Sequence, residues 1–346
     1  MNRSVLSALV AAALFGASTP FAKPLSGEIP PALLAGLMYL GSGVGLALVR
    51  ALRDRGWKPS GLASDQWPWL AGAILFGGVL GPLALMFGLT LTSASATSLL
   101  LNLEAVLTAL IAWVVFKENA DRRIVMGMLA IVAGGVVLAW PRADGGTTGL
   151  VGPVAIALAC LCWAIDNNLT RKVSASDALF LAGSKGLIAG TVNIVLALSL
   201  GATAPGVGIA LGTMTIGLLG YGFSLVMFVV ALRGLGTART GAYFSTAPFI
   251  GTAVALALFD EPAYPTFWVA AGLMAWGVYL HLTERHEHEH LHEALAHRHM
   301  HTHDAHHQHR HAFEWDGREP HDHWHEHVAI IHEHPHFPDI HHRHSH

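Results

Sequence analysis

Between residues 4 and 283 the chain is a succession of apolar runs, each about as long as a membrane crossing. A backbone in hydrocarbon must satisfy its own hydrogen bonds, and a single run can do that only as a helix. A crossing takes about 20 mainly apolar residues. The runs place helices at 4–23, 30–52, 67–89, 93–116, 122–140, 150–170, 178–200, 207–232, 238–258 and 264–283. Clusters of Pro, Gly and charge separate them, such as Arg50 to Lys58 and Pro141 to Gly146. Gly77-Gly78, Gly134-Gly135, Gly217, Gly220 and Gly222 fall inside the runs, as close helix packing in lipid requires. Only 12% of residues are charged, about half the share in a soluble protein. The expected fold class is an all-α membrane protein of ten transmembrane helices.

The first run has a second reading. Arg3, the apolar stretch Val5 to Gly16 and the small residues up to Ala22 also fit a cleaved signal peptide. Its removal would leave nine spans and break the repeat described below, so the run is read as the first span. Lys and Arg placement then sets the orientation. With the N-terminus cytoplasmic, the inside loops hold Arg53, Arg55, Lys58, Lys117, Arg122, Arg123, Arg171, Lys172, Arg233 and Arg239. The outside loops hold only Lys23 and Arg142. Ten spans return the C-terminus to the cytoplasm, and the expected location is a bacterial-type inner membrane.

The chain matches itself at a shift of about 145 residues. Phe15-Gly-Ala-Ser-Thr-Pro-Phe-Ala-Lys23 lies against Trp163-Ala-Ile-Asp-Asn-Asn-Leu-Thr-Arg171, both apolar helix ends closing on a cation. Ala94 to Ser98, running on through Phe116-Lys-Glu118, lies against Ala238 to Ala242, running on through Phe259-Asp-Glu261. The expected division is a first five-helix repeat over 1–140, a second over 150–283 and a tail over 284–346. Because five is odd, the second repeat enters the membrane from the opposite side, a common build for secondary transporters.

On these residues the sequence resembles the drug/metabolite transporter superfamily, and within it the EamA-type transporters with two tandem five-helix repeats. The resemblance covers residues 1 to about 283. It implies export or exchange of a small organic metabolite, often proton-coupled, through a central cavity between the halves. One position departs from the pattern: Glu104 stands where Pro248 stands in the second repeat, and the family leads us to expect proline or another uncharged residue.

A charge at the bilayer centre costs about 2.5–3.5 kcal/mol on insertion scales. Glu104 falls midway along the fourth helix, and spacings of seven and four put Thr97, Glu104 and Thr108 on one face of a continuous helix. Glu104 is read either as a site for a cation or proton, or as a structural carboxyl. Lys185 is expected to snorkel to the interface, with pairing to Asp166, Glu104 or an anionic substrate as the alternative. Asp166, Asn167 and Asn168 are read as caps of the sixth helix. Asn102, Asn193 and Thr246 are expected to hydrogen-bond across helices, and Trp163 and Tyr243 to pack, sit at an interface or line the cavity. The substrate or coupling candidates are thus Glu104, Thr97, Thr108, Asn102, Thr246, Trp163, Asp166 and Lys185. Glu118 and Glu261 are read as residues that fix repeat-related turns. Cys160 and Cys162 point to different sides of a helix, which argues against a disulfide and for packing.

All 24 histidines lie at or after His281. The tail alternates them with acidic and other residues. The expected metal ligands are His286, His288, His290, His292, His297, His299, His301, His303, His321, His323, His325, His327, His332, His334 and His336. Neutral imidazole suits Zn, Ni, Co and Cu. No zinc-finger spacing is present, so several exchangeable sites are expected, on a tail too poor in apolar residues to order alone. Full protonation would swing the net charge from −3 to +21, one unit per histidine; at neutral pH no nucleic-acid partner is indicated. The chain shows no nucleotide-binding loop or catalytic constellation, so neither an ATP-driven pump nor an enzyme is supported. Two functions follow. The first is transport of a small metabolite, with a tail that buffers metal. The alternative is divalent-metal transport, with a tail that collects or senses the ion. The second lacks ligands in the bilayer, because residues 1–280 contain no histidine.

Overall fold

The computed structural model describes residues 3–55, 60–116, 122–140, 149–173, 176–228, 230–231, 240, 243–261, 263–283, 287–292, 295–301, 321–327 and 330–335. Residues 1–283 form one compact unit and 284–346 another.

In the first unit the apolar runs are mainly helical over the described residues. The segments are α1 (Arg3–Leu25), α2 (Pro31–Asp54), α3 (Ser64–Leu91), α4 (Ala94–Leu100 and Leu103–Phe116), α5 (Arg122–Ala139), α6 (Val151–Arg171), α7 (Ala178–Ser199), α8 (Val207–Phe228), α9 (Ala247–Leu258) and α10 (Pro265–Leu282). Among the described residues, α1 to α8 are each long and apolar enough to cross a membrane, and α9 is a shorter apolar helix. Many large apolar side chains face outward, including Leu52, Leu129, Val195 and Trp268. Lipid is the solvent that such a surface fits.

The main contacts between the halves map onto one another when the halves are exchanged. α2 packs on α7, and α5 on α10. The contact of α3 with α6 is matched by α8 with α1, that of α1 with α9 by α6 with α4, and that of α8 with α2 by α3 with α7. Local irregularities match too. α3 widens into a π turn over Ile74–Leu80, and α8 does so over Leu218–Phe223. The fourth helix breaks at Leu101-Asn102, and the chain entering α9 breaks at Ser245-Thr246. The α2–α7 crossing brings backbone against backbone. A Cβ added to Gly186 would lie 2.5 Å from the Gly43 nitrogen, and one on Gly190 would lie 2.5 Å from the Leu40 nitrogen. Small residues at such crossings replace the hydrophobic drive that lipid cannot supply.

The fourth helix is therefore not the continuous rod expected over 93–116. The turn at Leu101-Asn102 uncouples Thr97 from the face that carries Glu104 and Thr108. Thr97 is fully buried, and its hydroxyl has no hydrogen-bond partner.

The second unit contains strands β1 (Glu287–His292), β2 (Leu295–His301), β3 (His321–His327) and β4 (Ile330–Pro335). β1 pairs antiparallel with β4, and β2 with β3. Over these residues the tail departs from the unordered segment expected. The alternation of histidine with other residues has the period of a strand, and that pattern outweighs the low apolar content there.

Candidate functional site

The break in α4 is closed by local hydrogen bonds. Asn102 Nδ2 donates to Leu99 O at 2.8 Å, and Glu104 N to Leu101 O at 3.1 Å. Cys160, buried on α6, points its thiol at Leu100 O, 3.7 Å away. The helix restarts at Leu103, so Glu104 lies in a first turn. Its counterpart Pro248 opens α9 in the same way. A first helical turn accepts proline because its N–H groups lack intrahelical partners, and favours a carboxylate because the helix dipole is positive there. The departure from the family pattern is thus an exchange between two residues suited to one local structure.

Glu104 Oε1 accepts a hydrogen bond from Asn167 Nδ2 at 2.9 Å, and the same nitrogen lies 3.4 Å from Thr108 Oγ1. Glu104 is half-buried and Asn167 exposed. Asn167 therefore does not cap α6 as expected. Asn168 donates to Ala164 O of its own helix at 2.8 Å.

Beside this cluster, Lys185 Nζ donates to both oxygens of Asp166 at 2.6 Å, and Thr170 Oγ1 donates to Asp166 Oδ1 at 2.8 Å. Lys185 is thus held inward by an opposite charge, not snorkelling, and Asp166 is its partner, not a cap. Gly77 makes room for the pair, since a Cβ there would collide with the Asp166 carboxylate. The Gly77 carbonyl, in the π turn of α3, accepts from Tyr39 Oη at 2.7 Å and Trp163 Nε1 at 3.0 Å. Asn193 Nδ2 donates to Gly78 O at 3.2 Å. Side chains of α2, α6 and α7 thus converge on one widened turn, a distortion frequent at functional sites.

Sequence reading missed the aromatic wall beside these groups. The ring centroids of Tyr39 and Tyr221 lie 5.3 Å apart, Phe15 and Tyr221 6.0 Å, and Phe15 and Phe244 5.4 Å. The available signal was polar: Tyr39 and Tyr221 are hydroxyl-bearing rings in mid-run positions of α2 and α8. Thr246 donates to Tyr243 O at 2.6 Å, locally and not across helices, and takes no part in the cluster.

Charged groups also fasten the ends of the bundle. Lys23 Nζ donates to Leu89 O at 2.6 Å and Thr92 O at 2.7 Å. Glu261 accepts from Ala94 N at 2.7 Å and Ser95 N at 2.9 Å. Elsewhere Asp177 accepts from Arg50 at 3.2 Å and Arg53 at 2.5 Å. Burial alone would raise the Asp177 pKa, but the bonds from Arg53 and Arg50 outweigh it and hold the carboxyl below its ordinary range. Glu118 lies outside the described residues, as do the side chains of the expected metal ligands in the tail. Among the described residues no three His, Cys, Asp or Glu side chains group to hold a metal.

Three comparisons bear on this arrangement. Residues 2–140 match the EamA-like transporter family. An uncharacterized transporter of Methanothermobacter thermautotrophicus is 23% identical over 291 residues, covering 80% of this chain and 84% of that one. A crystal structure of a protein 19% identical superposes with a TM-score of 0.58, covering 79% of this chain and 94% of the other. That last likeness speaks for the fold.

Proposed function

We propose that this chain, which belongs with the EamA-type drug/metabolite transporters, exports a small organic solute across a bacterial-type inner membrane by alternating access. It is a multi-pass membrane transporter of small solutes and not an enzyme. The observation that carries the finer reading is the half-accessible Glu104, bonded to Asn167 at a break in α4. A carboxylate in that place binds solute or carries a coupling proton.

The rest of the reading is assembled around it. Ten crossings are read as two inverted five-helix repeats, 1–140 and 150–283, because exchanging the halves preserves the most extensive contacts between them. The glycine-lined crossing of α2 and α7 is the natural pivot, since it pairs like with like and brings backbone close to backbone. Lys and Arg placement argues for cytoplasmic N- and C-termini. The tail is proposed to bind Zn, Ni, Co or Cu through its histidines and to buffer or sense the ion.

The histidine count favours a second reading, in which the metal itself is cargo. The membrane unit argues against it. Asp166 is committed to Lys185, and His281 Nε2 lies 3.0 Å from Ile124 O. Uptake into proteoliposomes of full-length and 284–346-deleted protein tests both, with Zn, Ni and Co and with a panel of amino acids and amines. Organic-solute flux that survives deletion is the expected result. Metal flux that needs the tail would replace the first reading with the second.

A further inference from the structure

The charges around Glu104 do not balance. Lys185 and Asp166 neutralise each other through two 2.6 Å contacts. Glu104 lies within electrostatic range of both, and its hydrogen bond comes from a neutral amide. Among the described residues the site therefore keeps one uncompensated carboxylate. Such a group in a low-dielectric region needs a proton or a cation.

The atoms around it specify which cation. Glu104 Oε2 and Asn167 Oδ1 have no donor among the described residues, and Thr108 Oγ1 receives only the 3.4 Å contact from Asn167. Thr108 lies one helical turn beyond Glu104, on the same face. Three oxygen acceptors on two adjacent helices match an –NH₃⁺ group, which has three donors and no acceptor. A carboxylate on the same solute would need a cation, and the nearby Lys185 is already paired. Tyr39 is within electrostatic range of Glu104 and stacks on Tyr221, which with Phe15 keeps an accessible apolar face.

We propose that Glu104, Thr108 and Asn167 seat a primary ammonium group, so that the solute is an amine without a carboxylate, its apolar body against Tyr221 and Phe15. The proposal rests on the transport reading above. Proton and ammonium then compete for one carboxylate, which makes the cycle an exchange of one for the other.

Three indole compounds separate the charges: tryptamine (ammonium), tryptophan (ammonium and carboxylate) and indole-3-propionate (carboxylate). Uptake of each is measured into proteoliposomes holding the full chain, with an imposed pH gradient. Tryptamine is expected to enter at least about tenfold faster than the others, the factor expected for one charge-assisted hydrogen bond. Glu104→Gln should remove that flux, and Glu104→Asp should retain part of it. Thr108→Val, which keeps side-chain shape, should weaken tryptamine selectively. Should Glu104→Gln fail to fold, the Thr108→Val result and the ranking in wild type decide. Equal or faster flux of tryptophan or indole-3-propionate overturns the proposal and leaves a solute transporter. Unchanged tryptamine flux in Glu104→Gln overturns it likewise. If no organic solute moves at all, the transport reading falls with it.

Discussion

Glu261 caps a helix from the other half of the chain: its two carboxylate oxygens accept from the backbone N–H groups of Ala94 and Ser95, at 2.7 and 2.9 Å. These are the first residues of α4, whose N–H groups have no partner within the helix. Lys23 binds the last carbonyls of α3 on the other side of the same turn. The turn between α3 and α4 is thus held by an anion at a helix start and a cation at a helix end, each matched to the local dipole.

Glu261→Ala should therefore cost about 2 kcal/mol of stability, the scale of charge-assisted hydrogen bonds to buried donors. Thermal unfolding in detergent would read this as a lowered midpoint. Lys23→Met should cost less, since carbonyls at a helix end tolerate water better than buried N–H groups. A Glu261→Ala protein as stable as wild type would show that the cap contributes nothing.

Asp177 gives a pH dependence. Its folded pKa lies below the ordinary value of 3.8, so its ion pairs contribute fully above that value. The contribution disappears as pH falls through the depressed folded pKa. Unfolding midpoints should hold level from neutral pH down to about 5 on this account and fall below about 4. Asp177→Asn should flatten the fall and lower the midpoint at neutral pH. Identical pH profiles for the two proteins would assign the acid loss to other groups.

Much of the fold was legible because lipid leaves so few choices. Over the described residues the apolar runs are mainly helix, since no other single-segment structure satisfies their backbone. The role of Glu261 at a turn was legible too, and Lys23 holds the other side of that turn. The break at Leu101-Asn102 was not, because neither residue is a proline or glycine. What marks the place is the pair Glu104 and Pro248, whose shared liking for a first helical turn emerges only once both breaks are seen. The Asp166–Lys185 pair was available as an alternative, but the cost of snorkelling against pairing depends on the distance across two helices. The aromatic wall, built from Phe15, Tyr39 and Tyr221, is a long-range product of packing. In the tail, alternate histidines carried the period of a strand, and composition was given more weight than pattern.

The Asp166–Lys185 pair should behave as a unit. Lys185→Met leaves a buried carboxylate without its cation, and removing one partner of a buried pair costs about 3–5 kcal/mol. The double change Lys185→Met with Asp166→Asn should recover more than half of that loss, because neither charge is left behind. Gly77→Ala should destabilise as well, since its methyl group meets the Asp166 carboxylate. Yield and unfolding midpoint of wild type, Lys185→Met, Asp166→Asn and the double variant test the pairing; additive losses in the double variant would mean that the two side chains act independently.

The break in α4 separates the fold role of position 104 from its chemistry. Pro248 opens α9 where Glu104 opens the second half of α4, so Glu104→Pro should fold. Its cost is the bond from Glu104 N to Leu101 O, about 1 kcal/mol for a neutral hydrogen bond. Proline at Ala109, well inside the same half-helix, should cost about 3 kcal/mol or more, because it breaks an interior bond and clashes with the preceding turn. Glu104→Pro removes the carboxylate while keeping the backbone, so transport should vanish from a protein that still purifies as a monodisperse, folded species. If Glu104→Pro instead unfolds as readily as Ala109→Pro, the equivalence of the two breaks is wrong, and the carboxylate holds the fourth helix together. If it folds and transports normally, Glu104 only opens a helix, and the site must be sought at Asp166 and Lys185.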